Sequence, residues 1–147
     1  MNTVAAILIK KGHEISTVSE ADTALAAAQM MRERHIGSVI VMREGTVVGI
    51  FTERDIMYRV VAAERNPAQT RVGDVMTSPV TSCGSDTALK ECATIMTNKR
   101  LRHMPVIDGG KLCGVITSGD ILAHKCNHLE ETNIFLQEYL HGTQAQA

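Results

Sequence analysis

Gly49-Ile50-Phe51-Thr52-Glu53-Arg54-Asp55-Ile56 and Gly114-Val115-Ile116-Thr117-Ser118-Gly119-Asp120-Ile121 are one pattern written twice. Each runs glycine, two apolar residues, threonine, two variable positions, aspartate and isoleucine, and each has a further glycine four places earlier, Gly45 and Gly110. Upstream, Asp22-Thr23-Ala24-Leu25 returns as Asp86-Thr87-Ala88-Leu89. The first pair of blocks is offset by 65 positions and the second by 64, so one inserted residue separates the registers. An internal repeat of this kind sets the architecture before any single element is assigned. The copies cover residues 17–61 and 81–126.

Both copies read in the same order. A short extended lead-in, 15–18 or 80–82, is followed by a helix. In the first copy the helix is predicted over 21–34, with Leu25, Ala28 and Met31 near helical spacing. In the second it is predicted over 87–99, with Leu89, Cys92, Ala93 and Met96 on one side and Asp86 as the N-cap candidate. A β-rich run comes next, 38–42 or 104–107. Glu44-Gly45 and Asp108-Gly109-Gly110 then supply hairpin turns. The returning strand is 47–51 or 111–116, and a second helix starts just after each Thr.

The order β-α-β-β-α, twice, predicts an α/β (α+β) fold. Three short strands with two helices on one face leave apolar surface uncovered, and two such units can bury it against each other. One compact domain with internal pseudo-twofold symmetry is expected. Its first repeat with the N-terminal segment spans 1–66, its second repeat 67–127, and a C-terminal helix and tail 128–147. The linker 64–70 is marked by Asn66-Pro67. The segment 72–77 leads into the second copy, and 4–10 is its counterpart for the first. The last amphipathic stretch, 128–141, carries Leu129, Phe135, Leu136 and Leu140 and is expected to pack on the body or on a partner chain.

Thr52-x-x-Asp55 and Thr117-x-x-Asp120 sit where an apolar strand gives way to a helix. One reading is local: Thr and Asp at this spacing form a capping box, worth roughly 1 kcal/mol. The other uses the same geometry on a ligand. A helix N-terminus offers free N–H groups and partial positive charge to a phosphate. A carboxylate one turn in can accept from both hydroxyls of a ribose, as in dinucleotide-binding folds. Gly49 and Gly114 are read as keeping the approach open.

The doubled Gly-x-x-Thr-x-x-Asp pattern, together with Arg102-His103-Met104-Pro105-Val106 before the second hairpin, resembles paired cystathionine-β-synthase-type (CBS) repeats. The resemblance covers nearly the whole chain. The opening Ile7-Leu8-x-x-Lys11-Gly12 and the Thr52–Ile56 block are similar to small stand-alone bacterial CBS-pair proteins. The resemblance implies two clefts related by the pseudo-twofold, each built from both repeats. One would use Thr52 and Asp55 with Arg102, His103, Met104 and Pro105, its adenine near Val75, Met76 and Thr77. The other would use Thr117 and Asp120 with Ile36, Gly37 and Ser38, its adenine near Ile7 and Leu8. Arg102, His103 and Arg54 give the first cleft phosphate-binding groups where the second has Gly37, Ser38 and Gly119, so the first is expected to favour more phosphate charge. The ligand implied is an adenine nucleotide, AMP foremost, then NAD(H) or ATP. It would act as a regulatory signal of energy or redox state through a homodimer, with the helices after Asp55 and Asp120 at the interface and an unidentified protein as target. The alternative is a structural dimerisation module with empty clefts.

The remaining features narrow the function. With 147 residues, 44% apolar and 21% charged, the chain has the makings of one folded domain. A formal charge of −1 and only four aromatic residues, two Phe and two Tyr, speak against nucleic acid as a partner. No apolar run reaches the roughly 20 residues of a membrane span. The N-terminus shows no secretory pattern, so a cytoplasmic location is expected. Cys83, Cys92, Cys113 and Cys126 form no C-x-x-C and read as reduced thiols. His124-x-Cys126-x-His128 lacks further ligands and is read as no metal site. Lys10-Lys11 is able to touch phosphate but reads first as a solvated pair. No nucleophile–base set, Walker A loop or G-x-G-x-x-G is present, so no catalytic activity is expected.

Overall fold

The computed structural model describes residues 2–145; Met1, Gln146 and Ala147 lie outside it. In chain order the elements are α1 (Val4–Lys11), β1 (Thr17–Ser19), α2 (Ala24–Arg34), β2 (Ser38–Arg43), β3 (Thr46–Thr52), α3 (Glu53–Asp55) continuing as a π-helical stretch Ile56–Val61, a 3-10 turn Pro67–Gln69, α4 (Val72–Val75), α5 (Leu89–Lys99), β4 (His103–Asp108), β5 (Lys111–Thr117) and α6 (Ser118–Ala145). β1 pairs parallel with β2, and β2 antiparallel with β3. β4 pairs antiparallel with β5. In the second repeat the lead-in strand shrinks to one parallel bridge, Cys83 with Val106. The two hairpins turn on left-handed residues, Glu44 and Gly45 in one and Gly109 and Gly110 in the other, as two-residue hairpins between right-twisted strands require.

The first helices of the repeats differ in detail from the expectation. α2 buries Ala24, Ala27 and Met31, and Leu25 faces out. Its start is capped by Thr23, whose hydroxyl accepts from the Ala26 amide at 3.1 Å, so the face is turned from the one predicted. α5 begins at Leu89 after Ala88, and Asp86 does not cap it. Thr87 instead closes the preceding turn through the Gly84 amide at 3.0 Å. Leu89, Cys92 and Met96 do face inward.

The lead-in segments are exchanged between the repeats. Val4, Ile7 and Leu8 of α1 join a core with Leu89, Cys92, Met104, Val106 and Ile116. Val72 and Val75 of α4 join the other core with Ala27, Val39, Val41 and Phe51. The backbone repeats the exchange: the Val4 amide donates to the Thr87 carbonyl at 3.0 Å, and the Val72 amide to the Asp22 carbonyl at 2.8 Å. This explains the glycine at the head of each motif. A Cβ on Gly49 would collide with Met76 Sδ and stand 3.0 Å from the Thr77 carbonyl oxygen; one on Gly114 would stand 2.8 Å from Leu8 Cδ2. Gly49 and Gly114 seat the lead-in segment of the other repeat, rather than keeping open the approach of a ligand.

α6 is one helix from Ser118 to Ala145. The stretch 128–141 therefore continues the helix that starts just after Thr117, and Leu129, Phe135, Leu136 and Leu140 are exposed rather than packed on the body. Among the described residues no helix is long and apolar enough to cross a membrane. All four cysteines are free thiols. Burial pushes the Cys83 thiol up to about 12, so it is a core group and not a nucleophile.

Candidate functional site

Both Thr-x-x-Asp motifs form the local structure that their spacing allows. The Thr52 amide donates to Asp55 Oδ2 at 3.0 Å and the Asp55 amide to Thr52 Oγ1 at 3.3 Å. The Thr117 amide donates to Asp120 Oδ2 at 2.9 Å and the Asp120 amide to Thr117 Oγ1 at 3.0 Å. These are capping boxes, with Asp standing where Glu is more usual. A carboxylate has about four acceptor positions, so capping leaves each Asp with capacity to spare. Local and ligand-directed roles are compatible.

A cavity of about 600 Å³ opens over the first motif, within the range of small-molecule sites. Thr52, Asp55 and Thr77 line it together with Arg54, Arg100, Arg102 and His103. Thr77 is held there by the backbone: its amide and carbonyl pair with Ile50 at 2.8 and 3.0 Å, extending the sheet beside β3. Its hydroxyl then donates to Asp55 Oδ1 at 2.9 Å. Asp55 is only 6% exposed, and Arg59 Nε stands 3.7 Å from the same oxygen. Arg54 reaches across the repeats and donates to the Arg100 carbonyl at 3.0 Å. The first cleft is a buried acceptor at one end with guanidinium groups along its wall.

The second cavity is smaller, about 320 Å³, and its walls include Ile36, Gly37, Ser38 and Thr117 with Lys11, Glu14, His35 and His103. Lys11 is exposed but paired. Its ammonium donates to Asp120 Oδ2 at 2.7 Å and to the Val115 carbonyl at 3.0 Å.

Some residues implied by the family resemblance have side chains elsewhere. Pro105 is buried, Val75 lies in the core of the first repeat, and Met104, Ile7 and Leu8 lie in the core of the second. Met76 packs under Gly49, and its carbonyl accepts from Arg59 at 2.8 Å. Sequence reasoning set Lys11 aside as a solvated cation and missed His35 and Arg100. The last two are homologous: each caps the first helix of its repeat in a left-handed conformation, φ 53° and 56°. Extending the repeat register outward from Gly37 and Arg102 would have paired them.

His103 lines both clefts and also a third cavity of about 520 Å³, whose lining includes Glu53 from one repeat and Ser118 from the other. Burial holds its imidazole below the usual histidine range; Lys11 and Arg102 push the same way, against Glu53 and Asp120. A histidine whose folded value is depressed binds fewer protons than the unfolded chain just below the ordinary value, so stability falls as pH drops through that window. Chemical denaturation between pH 7 and 5.5 should show the wild type losing stability faster than His103→Gln. Parallel curves would remove His103 as the titrating group.

The family model described as the CBS domain matches twice, over residues 5–62 and 72–126. The chain belongs to the CBS-domain family. Its arrangement is that of a tandem CBS pair, as the repeated motif implied. A CBS-domain protein from Burkholderia ambifaria MC40-6 superposes with a TM-score of 0.79 at 41% identity, over 82% of this chain and 90% of that one. A CBS-domain protein of Agrobacterium tumefaciens gives 0.80 at 34% identity, over 84% and 98%. A Methanopyrus kandleri protein described as uncharacterized is 38% identical over 74% of this CBS pair, which spans 57% of that relative's length. CBS pairs are generally regulatory, typically non-catalytic modules, and they commonly bind adenine nucleotides and form oligomers.

Proposed function

We propose that this CBS pair is a regulatory adenine-nucleotide-binding module, with AMP as its foremost ligand and NAD(H) or ATP next. It would report energy or redox state through the conformation of a homodimer to a protein target. The observation that carries the reading is Asp55: a nearly buried carboxylate at the head of the larger cleft, with Arg54, Arg100, Arg102 and His103 on the same wall. A carboxylate for ribose hydroxyls and guanidinium groups for phosphate are the two ends of a nucleotide. The three arginines support a preference of this cleft for more phosphate charge than its twin, whose cation Lys11 is already paired. Met57, Tyr58 and Val61 after Asp55 and Leu122 after Asp120 are exposed, which supports an interface formed by these helices.

Calorimetric titration with AMP, ATP and NAD(H), repeated on Arg102→Ala, tests the reading. Binding of one adenylate, weakened about tenfold or more by the loss of one charge-assisted contact, is expected. No heat and no thermal stabilisation with any of them at millimolar concentration would leave a dimerisation module with empty clefts.

A further inference from the structure

The two motif aspartates are held differently: Asp55 lines the first cavity directly, whereas Asp120 stands behind Lys11, which lines the second. Asp55 accepts from a neutral hydroxyl, that of Thr77, at 2.9 Å. Asp120 accepts from the Lys11 ammonium at 2.7 Å. Lys11 belongs to the last turn of α1, and Gly12 after it leaves the helix at φ 90°. The Lys11 side chain is 38% exposed and that of Asp120 25%, so the pair is partly withdrawn from water. The cation over Asp55 is held more loosely: Arg59 Nε is 3.7 Å from Asp55 Oδ1, while its Nη1 donates to the Met76 carbonyl at 2.8 Å.

We infer that Lys11 is an internal occupant of the second cleft and makes that cleft select a phosphorylated adenylate over the unphosphorylated nucleoside. The inference rests on the adenylate reading above and assigns selectivity at its second cleft. Ribose hydroxyls are neutral donors. When they take Asp120, they displace the ammonium from its anion and supply no replacement. A nucleotide supplies one. Lys11, at the wall shared with Gly37, Ser38, His103 and Thr117, exchanges the carboxylate for the phosphate of the incoming ligand. For a nucleoside Lys11 is only a competitor; for a nucleotide it is a competitor that becomes a contact.

The consequence is a change of opposite sign for two ligands from one substitution, which a merely structural lysine would not give. The test is calorimetric titration of Asp55→Ala, in which the first cleft is disabled, with adenosine and with AMP, and then of the same protein carrying Lys11→Met. Asp55→Asn replaces the alanine background should that variant not fold. Before the lysine change, AMP should bind about tenfold or more tightly than adenosine. After it, adenosine should tighten and AMP weaken, each about threefold or more, so that the ratio collapses. Lys11→Arg, which keeps the charge, should retain the preference. Equal shifts of both ligands, or an unchanged ratio, would overturn the assignment of Lys11. If the wild-type protein binds neither ligand at either cleft, the adenylate reading itself fails and the selectivity falls with it. Wild-type binding of AMP with a ratio indifferent to Lys11 sinks the selectivity alone.

Discussion

Asp55→Ala should weaken adenylate binding at the first cleft by about a hundredfold or more. Each hydrogen bond to a charged acceptor is worth about 1.5–3 kcal/mol, and two ribose hydroxyls would lose theirs together. Every 1.4 kcal/mol is about a factor of ten. The same change should cost the empty protein about 2 kcal/mol. It removes the acceptor of the Thr52 amide, a helix cap, and strands the Thr77 hydroxyl at the edge of the cavity. Asp55→Asn separates the two effects. An amide oxygen can still accept from Thr77, so most of the stability should remain, while the loss of charge still weakens the nucleotide by about tenfold. Titration calorimetry beside urea denaturation measures both quantities. Unchanged affinity in the alanine variant would remove Asp55 from the ligand, whatever happened to stability.

The contrast between the two clefts shows what was legible in the sequence. The motif Gly-x-x-Thr-x-x-Asp carries its own local structure, a strand ending in a capped helix, so its hairpins, helix starts and cleft-facing Asp55 follow from short-range spacing. The lead-in strand of the second repeat was less legible, because a single bridge between Cys83 and Val106 satisfies what a three-residue strand does in the first. The face of α2 was turned from its predicted one, since alanines carry little amphipathic signal and tertiary packing decided which of them went inside. Least legible were the residues that reach the clefts from far along the chain. Lys11 meets Asp120 across 109 positions. Only the exchange of α1 and α4 between the repeats brings it there, and no local pattern encodes that exchange except the two glycines that make room for it.

That exchange has a consequence that runs against the order of the chain. Leu8 precedes the whole first repeat, yet it is 2% exposed in the core of the second, against Gly114. Leu8→Ala should therefore destabilise the protein by about 3 kcal/mol, through lost transfer energy and the cavity left behind. A site filled against the backbone of a central strand has little freedom to collapse. The loss should be unevenly distributed. Native-state hydrogen exchange should accelerate first at the amides of β4 and β5, around Met104, Val106 and Ile116, whose side chains share the core with Leu8. The amides of Val39, Val41 and Phe51 belong to the other core, closed by Val72 and Val75, and should keep their protection longer. The mirror change, Val72→Ala, should reverse the pattern and cost less, because valine gives up less volume than leucine. If Leu8→Ala instead loosened β2 and β3 first, α1 would belong to the repeat it precedes. The glycine of each motif would then need another explanation, and so would the hold of Lys11 on Asp120, since the packing of Leu8 is what delivers the end of α1 to the second cleft.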